Sequence, residues 1–153
     1  MKTILKHIYL LTLIIFILSE SSFSFASSQH IKWYPYKQGA ELSKIEGKKI
    51  FLYFYADWCT YCKKMENGTF KDDSVISYLN DNFIPIKVNS DLDSKTASDF
   101  RIIGLPTIWF IAENGDRISN LSRYETPKIL LNILKYINTD SYKEMAFRKF
   151  MEL

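Results

Sequence analysis

The 153-residue chain is poor in cysteine and histidine, with two of each, and carries only five glycines and four prolines. So little Gly and Pro excludes a collagen-like or long disordered chain. Nothing recurs at the period of about 20–50 residues that marks solenoids and propellers, and no low-complexity tract interrupts the sequence. Charge of one sign is also lacking: 20 Lys and Arg face 17 Asp and Glu, a net +3. No cluster of basic residues occupies one helix face, so binding nucleic acid by counterion release is excluded. No apolar run reaches the ~20 residues of a membrane-spanning helix. The longest candidate, Ile8 to Leu18, is broken by Tyr9 and Thr12 and stops at Ser19-Glu20. What remains is one domain's worth of chain, 47% hydrophobic and 16% aromatic, enough for a single packed core.

The N-terminus reads as an address. Lys2 and Lys6 precede the apolar stretch, and Ser24-Phe25-Ala26 offers small residues two positions apart, as a leader peptidase requires. The expectation is a signal peptide over residues 1–26 and a mature domain over 27–153, working in the periplasm or otherwise outside the cytoplasm. An uncleaved leader acting as a membrane anchor is the alternative. Losing Lys2, Lys6 and Glu20 with the leader takes the net charge from +3 to +2.

An exported protein meets an oxidising compartment, where cysteines tend to become staples. Here the only two are Cys59 and Cys62, at C-x-x-C spacing. A bridge closing so short a loop removes little unfolded-state entropy, so the pair is a poor staple and points to chemistry instead. Zinc is the competing use. Tetrahedral zinc needs a ligand at every corner, and beyond the two cysteines there are only His7, in the leader, and His30. No metal is expected.

Residue patterns place the pair. Ser27 to Tyr36 reads as an extended or edge segment, and Gly39 to Glu46 as a short helix stopped by Gly47. Lys49 to Tyr55 is an apolar, aromatic run suited to a central strand covered on both faces. A helix is predicted from Cys59 to about Glu66, with Asn67-Gly68 as its stop. Asp72 or Asp73 can cap the next helix, with Val75, Ile76 and Leu79 on one face. Phe83–Val88 reads as strand, Ser94–Phe100 as helix and Thr107–Ala112 as strand. Asn114-Gly115 then makes a hairpin turn into Arg117–Leu121. Pro127 opens a helix whose buried stripe is Ile129, Leu130, Ile133, Leu134 and Ile137. Tyr142 to Phe150 reads as a last short helix presenting Tyr142, Met145 and Ala146 on one side. This order predicts an α/β fold with a central mixed β-sheet and helices on both faces.

A cysteine at a helix N-terminus sees its partial positive charge and unpaired N–H groups, both favouring thiolate. Cys59 is therefore expected to be the exposed nucleophile. Cys62, one helical turn deeper, is expected to be the resolving thiol that breaks a mixed disulfide. Trp58 and Tyr55 would flank the pair as an apolar docking surface, with plain core packing as the competing role.

The segment Tyr55-Ala56-Asp57-Trp58-Cys59-Thr60-Tyr61-Cys62-Lys63 resembles the active site of the thioredoxin superfamily. Extended through Glu66, Thr69-Phe70, Val75 and Asn82-Phe83, it is similar to the C-terminal periplasmic domain of DsbD-type thiol:disulfide interchange proteins and to small exported relatives. Gly104-Leu105-Pro106-Thr107 resembles the cis-proline loop of that family. Over roughly Lys48 to Ile137 the resemblance implies a thioredoxin fold, a redox-active Cys59–Cys62 disulfide, and no bound cofactor. It further implies a cis Leu105–Pro106 bond beside the dithiol, with Trp58, Leu105 and Pro106 meeting the substrate; an ordinary trans turn is the alternative. Glu66 coincides with a family carboxylate near the second cysteine and could take its proton, or could simply be solvated. The chain departs from the pattern six residues before the first cysteine, where the family places a buried Asp and this chain has Tyr53.

The function these readings imply is reduction of disulfides in exported proteins. The implied partners are oxidised exported proteins as substrates and a membrane electron-conveying thiol protein as donor, with the chain itself a monomer. Thr60-Tyr61 supplies no charge to stabilise a thiolate, which favours the reducing direction. A disulfide oxidase or isomerase is the alternative within the enzyme class, and a non-catalytic thioredoxin-fold chaperone or assembly factor lies outside it.

Overall fold

A computed structural model describes residues 30–153. The leader expected over residues 1–26 lies outside the described residues. Strand β1 (Lys49–Tyr55) is the centre of a four-stranded sheet of order β2-β1-β3-β4. It runs parallel to β2 (Phe83–Asn89) and antiparallel to β3 (Thr107–Ile111), which turns back into β4 (Arg117–Leu121). The expected mixed sheet is thus present.

Alternation along β1 sends its residues into two cores. Phe51 and Tyr53 face a layer built from α2 (Thr60–Asn67), α3 (Asp73–Asn82) and α5 (Pro127–Asn138). Ile50, Leu52 and Phe54 face the other layer, with α1 (Tyr36–Glu46) and α4 (Ser94–Asp99). Phe51, Leu52, Tyr53 and Phe54 have no exposed surface at all. Each such burial contributes about 1.5–3 kcal/mol, so β1 alone anchors both layers. Asp72 caps α3, its Oδ1 accepting from the N–H groups of Ser74 at 3.0 Å and Val75 at 3.2 Å. Pro127 opens α5, and Leu130, Ile133, Leu134 and Ile137 are buried as its stripe.

Two local expectations are corrected, at the start of α1 and at the C-terminus. Ahead of α1 the described chain is an extended entry, as expected, and Tyr34 makes one isolated parallel bridge to Ile86, donating to Pro85 O and accepting from Lys87 N. Pro85 sits where its missing N–H costs least, on the outer edge of β2.

Helix α1 starts at Tyr36, so Gly39 lies inside it and not at its start. A Cβ at Gly39 would overlap Cγ1 and Cδ1 of the fully buried Ile86 and press Cβ of Tyr34 at 3.3 Å. Gly39 is there for close approach of helix to sheet. Gly39→Ala in an exposed helix would stabilise by roughly 1 kcal/mol. Here it is expected to destabilise by about 1–3 kcal/mol, because Ile86 is stiff and has nowhere to go. Urea unfolding measures the sign, and a stabilised variant would refute the packing argument.

The second correction is the C-terminal helix, which is two separate turns: a 3₁₀ turn at Ser141–Lys143 and α6 at Phe147–Phe150. Both wrap one ring. Tyr136 on α5 has Tyr142 at 6.5 Å and Phe147 and Phe150 each at 5.3 Å, and its hydroxyl donates to Met145 O. A continuous helix could not bring rings to Tyr136 from both turns.

Candidate active site

Strand β1 ends at Tyr55, and Ala56-Asp57-Trp58 turns the chain so that Cys59 is the N-cap of α2. Its Sγ accepts the N–H of Cys62 at 3.1 Å, one of the donors a helix start leaves unpaired. Cys59 and Cys62 are joined in a disulfide with Cα atoms 5.2 Å apart. The expectation of an exposed Cys59 needs adjusting: it is 4% exposed against 1% for Cys62. The bond turns both sulfurs toward each other over the core. Cys59 remains the more accessible of the two.

What is exposed is the apolar rim. Trp58 is 69% exposed, Tyr61 60% and Ile103 99%. Trp58 is held in place there, because its Nε1 donates to Asp91 Oδ2 at 2.9 Å. Tyr55 belongs instead to the packing behind the pair, its ring stacked on Tyr53 at 5.9 Å.

The loop before β3 supplies the rest of the face. The Leu105–Pro106 peptide is cis, and Pro106 is buried. Thr107 Oγ1 donates to Gly104 O at 2.8 Å and lies 3.1 Å from Ser122 Oγ, which ties the loop to the end of β4. Leu105 divides two concavities. On one side a groove of about 570 Å³ runs beside Trp58, Asp91 and Ile103. On the other a hollow of about 350 Å³ lies between Tyr61, Pro106 and Tyr124. Trp58 and Leu105 thus line the groove, and Leu105 and Pro106 line the hollow.

Beneath the pair the arrangement is polar. Tyr53 is fully buried, and its hydroxyl faces the Cys62 carbonyl at 3.5 Å. Glu66 stands one turn after Cys62 on the same side of α2. Its Oε1 is paired with Lys87 Nζ at 2.9 Å, and that ammonium also lies 4.1 Å from the centre of the Tyr55 ring. Burial, and then the negative charge of Glu66, push the Tyr53 hydroxyl far above the ordinary range of a phenol, so it stays protonated at any working pH. Lys87 was missed by the sequence reading. The signal was available in part: β1 and β2 pair in parallel with Tyr53 beside Lys87, which puts both on one face.

Among the described residues no three His, Cys, Asp or Glu side chains gather as metal ligands would, and no helix is long and apolar enough to cross a membrane.

Comparison with known proteins gives the same picture. The thioredoxin-like domain family matches residues 36–138. The thiol:disulfide interchange protein DsbD of Haemophilus ducreyi is 38% identical over 84 residues, 53% of this chain and 15% of that protein. The chain thus spans less than a fifth of the length of this curated relative. A thioredoxin from Thermus thermophilus superposes with a TM-score of 0.65 at 25% identity, covering 71% of this chain and 87% of its own. The oxidised C-terminal domain of DsbD from Neisseria meningitidis superposes with a TM-score of 0.57 at 22% identity, over 67% of this chain and 91% of that one, a likeness of fold.

Proposed function

Since the chain belongs to the family of thioredoxin-like domains, we propose that it is an exported thiol:disulfide oxidoreductase that reduces disulfides in extracytoplasmic proteins. The observation that carries this reading is the position of Cys59: helix N-cap, sulfur accepting a backbone N–H, rimmed by exposed Trp58 and Tyr61. A thiolate there is stabilised by the helix terminus and by that N–H, and the rim gives a polypeptide something apolar to lie on.

The chemistry runs in two exchanges. The Cys59 thiolate attacks one sulfur of a substrate disulfide; a new S–S bond forms, the substrate bond breaks, and one substrate thiolate leaves. A substrate strand lies against Leu105, whose backbone polar groups are free of the sheet ladder, with Trp58 and Pro106 on either side. Cys62 then gives its proton to the Glu66 carboxylate as its sulfur attacks Cys59 Sγ. The Cys59–Cys62 disulfide forms and the second substrate thiolate departs. Two electrons have passed to the substrate. A thiol protein at the membrane returns them by the same exchange in reverse, a reading supported by the similarity to DsbD, a thiol:disulfide interchange protein.

Turnover of insulin disulfides by the purified chain with dithiothreitol as donor tests the class. Rates well above dithiothreitol alone are expected. Binding of unfolded protein with no gain in rate would make the chain a chaperone or assembly factor instead. Clients are identified by mixed disulfides trapped on Cys62→Ala.

A further inference from the structure

We infer that the hollow between Tyr61, Pro106 and Tyr124 receives one side chain flanking the substrate's cysteine, and that Arg123 and Lys64 at its rim select an acidic one. This deepens the proposed disulfide reduction and rests on it. Arg123 and Tyr124 belong to the loop between β4 and α5, and line the hollow together with Tyr61 of α2 and the cis pair Leu105 and Pro106. The hollow thus adjoins both the helix that carries the cysteines and the proposed path of the substrate strand.

The loop is pinned from below. The Glu125 side chain is only 7% exposed, and its backbone carbonyl accepts from Oγ1 of the fully buried Thr69 at 2.6 Å. A buried carboxylate is costly unless paired, and Arg123 pairs with it, Nε donating to Oε1 at 2.6 Å. The Arg123 side chain is 70% exposed, so the pair runs from the interior out to the rim. A guanidinium carries five N–H donors, and Nε is one of them. The four on the Nη groups make no hydrogen bond among the described residues. Arg123 is therefore a tethered cation whose terminal fork faces no partner of its own. Lys64, in the last turn of α2, adds a second cation, its Nζ 4.4 Å from the centre of the Tyr124 ring that walls the hollow.

Across Leu105 the balance differs. The groove on that side is lined by Asp91 and Arg101, which offset one another, and the exposed Asp57 lies on the turn before Cys59. Asp91 is fixed there by Trp58 Nε1 at 2.9 Å. A carboxylate on a substrate strand crossing Leu105 is thus favoured on the hollow side and gains nothing on the groove side. Complementary charge of this kind sets specificity and register more than overall affinity.

The test uses the purified, reduced chain and neutral peptides whose single cysteine is capped as a thiopyridyl disulfide. The Cys59 thiolate attacks the peptide sulfur, a new S–S bond forms, the bond to the pyridyl sulfur breaks, and thiopyridone leaves as the optical readout. Glu, Gln or Lys is placed in turn at the positions flanking the cysteine. Each rate is divided by that of dithiothreitol with the same peptide, which removes the effect of the added charge on the peptide's own disulfide. Glu is expected to outrun Gln by about three- to fivefold on one side of the cysteine only, as an exposed ion pair allows, with Lys slower than Gln there. Salt at about 1 M, where the Debye length is ~3 Å, is expected to erase the preference. Arg123→Gln with Glu125→Gln removes the rim cation without orphaning a buried carboxylate, and is expected to bring the Glu-to-Gln ratio below about twofold. Adding Lys64→Gln is expected to bring it to about one.

Equal normalised rates for Glu and Gln at every position, all above dithiothreitol, overturn the inference and leave the reductase reading standing. A Glu preference alike on both sides of the cysteine, or one that survives the loss of Arg123 and Lys64, also overturns it, since the attraction would then come from the protein's overall charge. If no peptide reacts faster than with dithiothreitol, the disulfide-reduction reading falls and the subsite falls with it.

Discussion

A Cys59→Ala variant is expected to lose disulfide turnover entirely, falling to the rate of the reductant alone, whereas Cys62→Ala stops one step later and accumulates mixed disulfide. Nucleophilic catalysis depends on one activated sulfur, and the two are activated unequally. Cys59 caps α2, and its sulfur takes the Cys62 N–H at 3.1 Å. A helix terminus contributes ~0.3–1 kcal/mol toward a negative charge, more where partly buried. Cys62 lies inside the helix at 1% exposure, over Tyr53 and the Glu66 carboxylate, whose negative charge opposes a second thiolate. Limiting iodoacetamide at neutral pH should accordingly label Cys59 first in the reduced protein. Preferential labelling of Cys62, or turnover by Cys59→Ala, would reverse the assignment.

Much of this was legible because it is local. The Lys49–Tyr55 run, the C-x-x-C after it, Asn114-Gly115 and Pro127 each specify their own turn or element within a few residues, and the strands and α5 fall where those signals put them. What escaped needs two distant segments at once. Gly39 reads as a helix boundary until Ile86 is seen against it. Tyr142 to Phe150 reads as one helix until Tyr136 is seen to collect rings from two turns. The polar floor of the site is the sharpest case. Tyr53 reads as a missing carboxylate, and Glu66 as a side chain that water could equally claim. Only the parallel register of β1 and β2 adds Lys87, 21 positions beyond Glu66, and turns two isolated residues into one assembly.

That floor also bears on the direction of electron flow, the second result with a large expected effect: the Cys59–Cys62 couple is expected at about −270 to −200 mV, on the reducing side. Reference oxidants have an attacking cysteine of pKa ~3.5 and a potential near −120 mV, against ~7 and about −270 mV for thioredoxin. Since one pKa unit corresponds to about 30 mV for two electrons, thiolate stability accounts for most of that span. Oxidants gain it from a charge beside the sulfur. Here Thr60 and Tyr61 carry none, Lys64 lies over the Tyr124 ring at 4.4 Å, and Lys87 is committed to Glu66. The exposed Lys63 is screened by solvent. Below Cys62 the phenol of Tyr53 stays neutral, so it offers no positive charge to a thiolate either. The reduced form therefore gains little beyond the helix terminus, and the couple gives up its electrons readily. Equilibrating the purified chain against a dithiothreitol or glutathione series measures the potential. Tyr61→His supplies the missing cation and is expected to raise it by about 30 mV for each unit by which the Cys59 pKa falls. A value near −120 mV for the unaltered chain would make it an oxidant, and the reductase reading would fall with it.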